Sequence, residues 1–397
     1  MRILMIAPQP YFQFRGTPFS IRERLRALTH LGHTVDLITY AIGQRVELPG
    51  VRVFRSPPLP PIRSVPIGPS WIKFPLDFLL ALRVVAALPQ VGRVDVVDSH
   101  EEGGIIGVVV AMLLGVPHIY DMHSSLPQQL ENYRFTKPRS LVTLARRTEA
   151  WIVRHSAAVI VVCPWLERVV RKIDPEKRVF LIENPPVCEP PGPDVVTSAR
   201  VLRTSLGVKG RDVVLYTGTF EVNQGLDLLM EAVPQVLARH PRAMFVLVGG
   251  EPGQVAEFHS RAERMRLGDH VRLTGQRPPD EMPAFMELAS VLVSPRLVGQ
   301  NTPLKIYSYL QSGKPIVATD LATHTQVLSS DTAVLVPAEP TALASGILRV
   351  LGDADLAARL GSNGRSLVEQ RYSWPRFVEA TTELCAFLEG RNDGMME

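Results

Sequence analysis

Short apolar runs alternate with amphipathic segments along the whole chain. In the first half the runs RILMIA, TVDLIT, VRVF, VDVVDS, PHIY, AAVIVV and VFLI are rich in Val and Ile and apolar on both faces. A strand of that kind belongs in a parallel sheet covered by helices on both sides. Helices are expected between the runs, for example at 18–31, 103–114 and 138–155. The segment ENPPVCEPPGPD, residues 183–194, carries five prolines. Proline resists both helix and sheet, so this is the linker. Beyond it the pattern restarts with DVVLYTG, MFVLVGG, VRLTG, VLVSP, PIVAT and AVLVP. The expectation is an α/β protein of two halves, 1–185 and 186–372, each a doubly wound parallel sheet.

In such sheets ligands bind beyond the carboxyl ends of the strands. A pair of them is expected to leave a cleft between two such edges. The candidate residues are those that follow strands. After the first strand, Gly16 precedes Thr17 and Pro18; Thr17 is the expected N-cap of a helix whose free N–H groups can receive an anion. The next strand ends bring His100 and Glu101, then Asp121 and His123, residues suited to sugar hydroxyl contacts or acid–base work. In the second half Gly218, Thr219 and Gln224 follow a strand. Gly249 and Gly250 do the same and are expected to let a ligand approach the backbone. In VLVSPRLVGQNTPLKIYSYL, Asn301 or Thr302 is the expected cap of another helix start, with Arg296 and Lys305 close by. SGKP is not a nucleotide-binding P-loop, since Pro315 follows Lys314, and GGIIG lacks the first glycine of a dinucleotide fingerprint.

Composition narrows the class. A hydrophobic fraction of 46% with 21% charged residues in 397 positions is that of an ordinary globular protein. Cys163, Cys188 and Cys385 are far apart, which excludes a CxxC zinc motif and fits a reducing compartment. No secretory leader is evident, and WIKFPLDFLLALRVVAALP is broken by Lys73, Pro75, Asp77 and Arg83, so a spanning helix is not expected. Charge is uneven. Residues 1–185 hold 23 Lys+Arg against 15 Asp+Glu, and the remainder 20 against 24. Arg22, Arg24 and Arg26 cluster in one expected helix; Arg134, Lys137, Arg139, Arg146 and Arg147 follow. This basic half favours an anionic acceptor or an anionic membrane surface, to which helix 75–88 would add an apolar face.

The order of these segments resembles the retaining glycosyltransferases of family 4. MRILMIAPQPYFQFRGTPFSIRERLRALTHLGHTVDLIT is similar to the family's opening, and DVVDSHEEGG and YDMHSS to its next two strand ends. LYTGTFEVNQGLDLLMEA, VLVGG, VRLTGQRPPDEMPAFMELASVLVSP and SGKPIVAT follow in family order. RYSWPRFVE is similar to the terminal helix, about 373–389, that crosses back to the first domain. Each motif is loose alone; their order over nearly the whole chain is specific.

The resemblance implies the GT-B fold, two Rossmann-like domains facing across a cleft. It implies a nucleotide-diphosphate sugar held mainly by the C-terminal domain and a glycan or lipid-linked acceptor held mainly by the N-terminal one. Transfer would retain anomeric configuration, with no catalytic metal. Apart from the resemblance, no cofactor and no nucleic-acid partner are expected, and the expected location is the cytoplasm or, given the basic first half, the inner face of the membrane. The family's two glutamates seven residues apart fall on Gln300 and Ser308, and its diphosphate-holding Arg and Lys on Thr219 and Gln224. Two carboxylates and two cations are thus absent together, which keeps the local charge balanced. His123 and Gln300 are then the expected catalytic residues. Lys305, Arg296 and the backbone N–H groups after Gly16 and Gln300 would hold the phosphates. Two other readings fit the same fold: a sugar-nucleotide or partner-binding protein without turnover, and a sugar-nucleotide epimerase.

Overall fold

The computed structural model describes residues 1–393 apart from 14, 67, 69, 133–138, 188–191 and 193. Arg134, Lys137, Cys188 and three of the linker prolines, and the side chain of Arg139, lie outside the described residues. The chain divides into two units, Met1–Asn184 with Pro375–Glu397, and Pro185–Trp374.

The first unit is built on seven parallel strands: β1 Arg2–Ala7, β2 Thr34–Thr39, β3 Val51–Arg55, β4 Val96–His100, β5 His118–Met122, β6 Ala158–Val161 and β7 Val179–Leu181. They lie in the order β3-β2-β1-β4-β5-β6-β7. The central strands are buried on both faces, as β4 and β5 are throughout, which is why they read as continuous apolar runs. The helix Gly16–His30 lies on one face and is joined there by the terminal helix Trp374–Asp393, through the Arg24–Thr381 hydrogen bond. Helices Lys73–Val91, Gly104–Leu114 and Arg139–His155 cover the other face, as right-handed crossovers require.

The second unit has six parallel strands: β8 Asp212–Thr217, β9 Ala243–Val248, β10 Val271–Gly275, β11 Val291–Ser294, β12 Ile316–Thr319 and β13 Val334–Val336, in the order β10-β9-β8-β11-β12-β13. Its two faces hold separate cores, one around Leu229, Phe245 and Ile347, the other around Phe285, Tyr309 and Val368. Each sheet therefore reverses strand order once, at β1/β4 and at β8/β11. Those switch points are where a ligand crevice opens in an α/β sheet.

Candidate active site

At the β1/β4 switch point the parallel register sets His100 beside Asp121. His100 Nδ1 and His123 Nε2 lie 2.9 Å apart, their rings stacked with centroids at 5.2 Å. Asp121 stands 3.4 Å from His123 Nε2, and Arg24 Nε is 3.4 Å from its other oxygen. Burial works against a charge on Asp121, but His123, Arg24 and His100 outweigh it and hold the carboxyl below its usual range. Burial also lowers both histidines, His100 to about 3. Both rings are therefore neutral at pH 7, and one donates while the other accepts. His100 and Asp121 have essentially no exposed surface (0% and 1%), so the expectation that they touch an acceptor is corrected: they orient His123, which keeps 7%.

The basic cluster expected on the first helix is also corrected. Arg24 is buried against Asp121 and over the Phe377 ring, and Arg22 and Arg26 both pair with Glu23. Little free charge is left for an anionic partner. Thr17 is not the cap: the helix starts at Gly16 with extended Arg15 in the N-cap position and no side-chain cap.

In sequence no metal spacing is visible, yet in space the ligand atoms of His100, Asp121 and His123 lie within 4.8 Å of one another. The Arg24 guanidinium already balances that carboxylate, and the two histidines spend their facing nitrogens on each other.

Glu101 caps the same crevice. It adopts φ +47°, a region that costs an L-residue about 1–2 kcal/mol and tends to mark functional positions. Its carboxylate accepts from Gln9 Nε2 at 3.3 Å and Ser124 Oγ at 2.9 Å. Burial first, and the neighbouring Glu102 second, push it up to about 7. Glu102 itself pairs with Lys73 Nζ at 2.6 Å.

Asp98, two residues before His100 on β4, is buried with no hydrogen-bond partner for Oδ1. Burial, then Asp121, raise its pKa from 3.8 to about 8. The folded chain thus holds a proton there that the unfolded chain has lost, and stability falls as pH rises through that window. Asp98→Asn removes the penalty. At pH 8 it should raise the melting temperature of the first unit by roughly 2–4 °C for each kcal/mol gained, with no gain at pH 4. Calorimetry at the two pH values checks this, and equal effects at both would sink it.

At the β8/β11 switch point Lys305 is the central group. It sits in the first turn of the helix Leu304–Ser312, a half-buried side chain whose Nζ is shielded from solvent, 3.8 Å from the Tyr216 ring centroid and without a hydrogen-bond partner. Burial, then Arg296, drive its pKa well below the ordinary value. Gly218 has φ +141°, and a Cβ there would stand 3.0 Å from Lys305 Nζ. Arg296 donates to Asn301 O and Thr323 Oγ1, both at 3.1 Å, and so holds its own loop.

Other expected residues fall as follows. Pro303, and neither Asn301 nor Thr302, occupies the N-cap position, without a side-chain cap; Thr302 Oγ1 is buried without a partner. Thr219 O accepts from Tyr216 OH at 2.7 Å, and Gln224 Oε1 lies 3.5 Å from the same hydroxyl. Gln300 O accepts from Gln326 Nε2. Ser308 Oγ accepts from Val187 N–H at 3.1 Å and so anchors the end of the linker. Gly249 is explained by packing, since a Cβ would fall 1.9 Å from Gly218 O; at Gly250 it would meet the Phe220 ring.

Arg24, Asp98 and Tyr216 were missed in the sequence. For Asp98 a signal existed, an acid inside an apolar parallel strand. For Arg24 none did, because Arg22, Arg24 and Arg26 look alike until the helix is docked.

Two parallel α/β units with strand-end sites at their switch points define a GT-B type of enzyme. Residues 15–185 match the family profile described as a glycosyl transferase 4-like domain, and residues 211–353 match that of glycosyl transferases group 1. The chain belongs to this glycosyltransferase family. It is 25% identical, over 84% of its length and 87% of the relative's, to alpha-D-kanosaminyltransferase of Streptomyces kanamyceticus. It is 30% identical to the phosphatidyl-myo-inositol mannosyltransferase of Mycobacterium tuberculosis, over 47% of this chain and 50% of that one. Sucrose-phosphate synthase of Thermosynechococcus elongatus shares the fold with a TM-score of 0.80 at 21% identity, covering 98% of this chain and 99% of that one.

Proposed function

We propose that this glycosyltransferase moves a sugar from a nucleoside-diphosphate donor to a glycan or lipid-linked acceptor, with retention of configuration and without a catalytic metal, in the cytoplasm. The observation that carries the reading is the Lys305 ammonium, buried without a hydrogen-bond partner at the start of a helix. A buried cation without an anion is costly, and the arriving diphosphate supplies that anion. As the bond between the sugar carbon and the phosphate oxygen breaks, negative charge grows on the leaving group. Lys305, Arg296 and the N–H groups of the first turn of Leu304–Ser312 stabilise it, as preorganised donors do in a dry site. Gln300 serves a sugar hydroxyl in place of a carboxylate. Within the first unit the acid–base role falls to His123, beside His100 and Asp121, and the N–H groups after Gly16 offer another helix start.

Titration of UDP, GDP, ADP and CMP, with and without magnesium, tests this. One diphosphate should bind saturably and without the metal. Lys305→Ala should weaken it by about 10–100-fold, the worth of a hydrogen bond to a charged group. Unchanged affinity in the variant removes Lys305 from the site. No binding of any nucleotide to the wild type favours the non-catalytic reading.

A further inference from the structure

The face of the first unit formed by Lys73–Val91 and Gly104–Leu114 is apolar on its outer side. Leu76, Leu80, Val84, Ala87 and Val91 of the first helix pack into the sheet, in the same core cluster as Val110 and Ala111 of the second. The outward positions of these helices carry apolar residues too. Trp71, Phe74, Phe78, Leu82 and Val85 are half to two-thirds exposed, and between residues 71 and 90 Gln90 is the only exposed residue that is not apolar. Beside them stand Ile105, Val109, Met112 and Leu113, the last 76% exposed, in a stretch, 103–117, without a single charge. Monomeric soluble proteins rarely leave so contiguous a patch uncovered.

What covers it follows from the charges around it. Arg139–His155 packs beside Gly104–Leu114, with Ile152 and Val153 in one core cluster with Val108. Its exposed positions include Arg146, Arg147 and Arg154. The three helices contain two acids, Asp77 and Glu149, and both are turned inward: Asp77 bonds to Tyr40 OH, and Glu149 accepts from Leu126 N and Ser125 Oγ. The outward charge of these three helices is therefore positive, and around Met112 and Arg154 the acids Asp174 and Glu176 are outnumbered by Arg154, Lys177, Arg178 and Arg391. A second copy of the chain would bring the same excess of cations over acids. A layer of lipid phosphates supplies both the counter-charge and an apolar interior.

We propose that this face docks flat on an anionic bilayer. Phe74, Phe78, Leu82 and Met112 enter the boundary between headgroups and acyl chains, and Arg146, Arg147 and Arg154 contact phosphates. Lys73–Val91 is long and apolar enough to cross a membrane by length and composition. It stays on the sheet, because Asp77 bonds to Tyr40 and Lys73 pairs with Glu102 at 2.6 Å. Lying in the interface is the geometry of a helix with one packed and one lipid-facing side. The stacked Trp71–Phe74 pair, at 5.5 Å, lies at the end of this helix nearest Glu102, so the carboxyl edge of the sheet and Glu101 come close to the lipid surface. The docking stands whether or not transfer is shown.

Co-sedimentation of the full chain with vesicles of phosphatidylcholine, alone or with phosphatidylglycerol, tests it. Wild type should pellet with the anionic vesicles and be partly released by salt. The pair Arg146→Glu and Arg147→Glu should lower partitioning by about tenfold or more, each basic residue near such a surface being worth close to a factor of five. The pair Phe78→Asp and Leu82→Asp should abolish it at any salt. These positions are exposed, so unchanged circular dichroism is the control for folding. Wild type remaining in solution with every vesicle at low salt overturns the proposal. So does binding that neither variant weakens, or a soluble dimer that Phe78→Asp and Leu82→Asp dissociates while wild type ignores lipid.

Discussion

Replacing Arg24 by methionine should cost the first unit roughly 3–5 kcal/mol, the usual penalty for removing one partner of a buried ion pair. Arg24 and Asp121 are 3% and 1% exposed. Without the guanidinium, the carboxylate loses its one permanent positive partner and keeps the two imidazoles. The same side chain donates to Thr381 Oγ1 at 3.2 Å and lies over Phe377, so the terminal helix loses its polar tie to Gly16–His30. Against a total stability of about 5–15 kcal/mol for a domain, this loss is large. Calorimetry should show a transition that moves down while that of the second unit stays in place. Adding Asp121→Asn should recover much of the loss, because it removes the orphaned charge. A single variant as stable as wild type would show that Asp121 does not depend on Arg24.

Replacing His123 by alanine should lower turnover by about 10²–10⁴-fold, the range for removing a positioned acid–base group, with nucleotide affinity unchanged. The ring's Nε2 meets His100 Nδ1 at 2.9 Å and lies 3.4 Å from Asp121, so one edge of the imidazole is fixed in place. Because burial holds its pKa below the ordinary 6.5, the neutral form should persist as pH falls below that value. The wild-type rate should therefore show no acid limb centred at 6.5. Replacing His100 by alanine acts through the ring it orients and should give a smaller loss. Full turnover in the His123 variant would end its role, and the non-catalytic reading would gain if wild type itself showed none.

How much was legible can be judged from particular elements. Every strand β1–β13 lies on an apolar run visible in the sequence, with ends within about two residues, the normal scatter of such boundaries. Strand ends were legible for the same reason, so His100, Asp121, His123, Gly218 and Arg296 could be picked out as candidates. The caps were not legible. Thr17, Asn301 and Thr302 have the right chemistry, yet the loops deliver extended Arg15 and Pro303 to those positions. The packing at Gly249 and Gly250, where Gly218 and Phe220 press against the backbone, was not legible either.

By itself the sequence determined the strand and helix order, the parallel sheets and the family. Periodicity and segment order are local properties of the chain, and packing does not alter them. The tertiary structure alone decided which charges are spent and which remain. Arg24 and Arg26 look equivalent in sequence, but one is buried on Asp121 and the other pairs with Glu23 near the surface. Lys305 is one lysine among many until the fold buries it on Tyr216 without a hydrogen-bond partner. Helix 75–88 reads as offering an apolar face, and only the fold shows which side the sheet takes and which it leaves bare. Burial and pairing arise from contacts between residues far apart in the chain, and those contacts set the charge state, the cost and the use of each side chain.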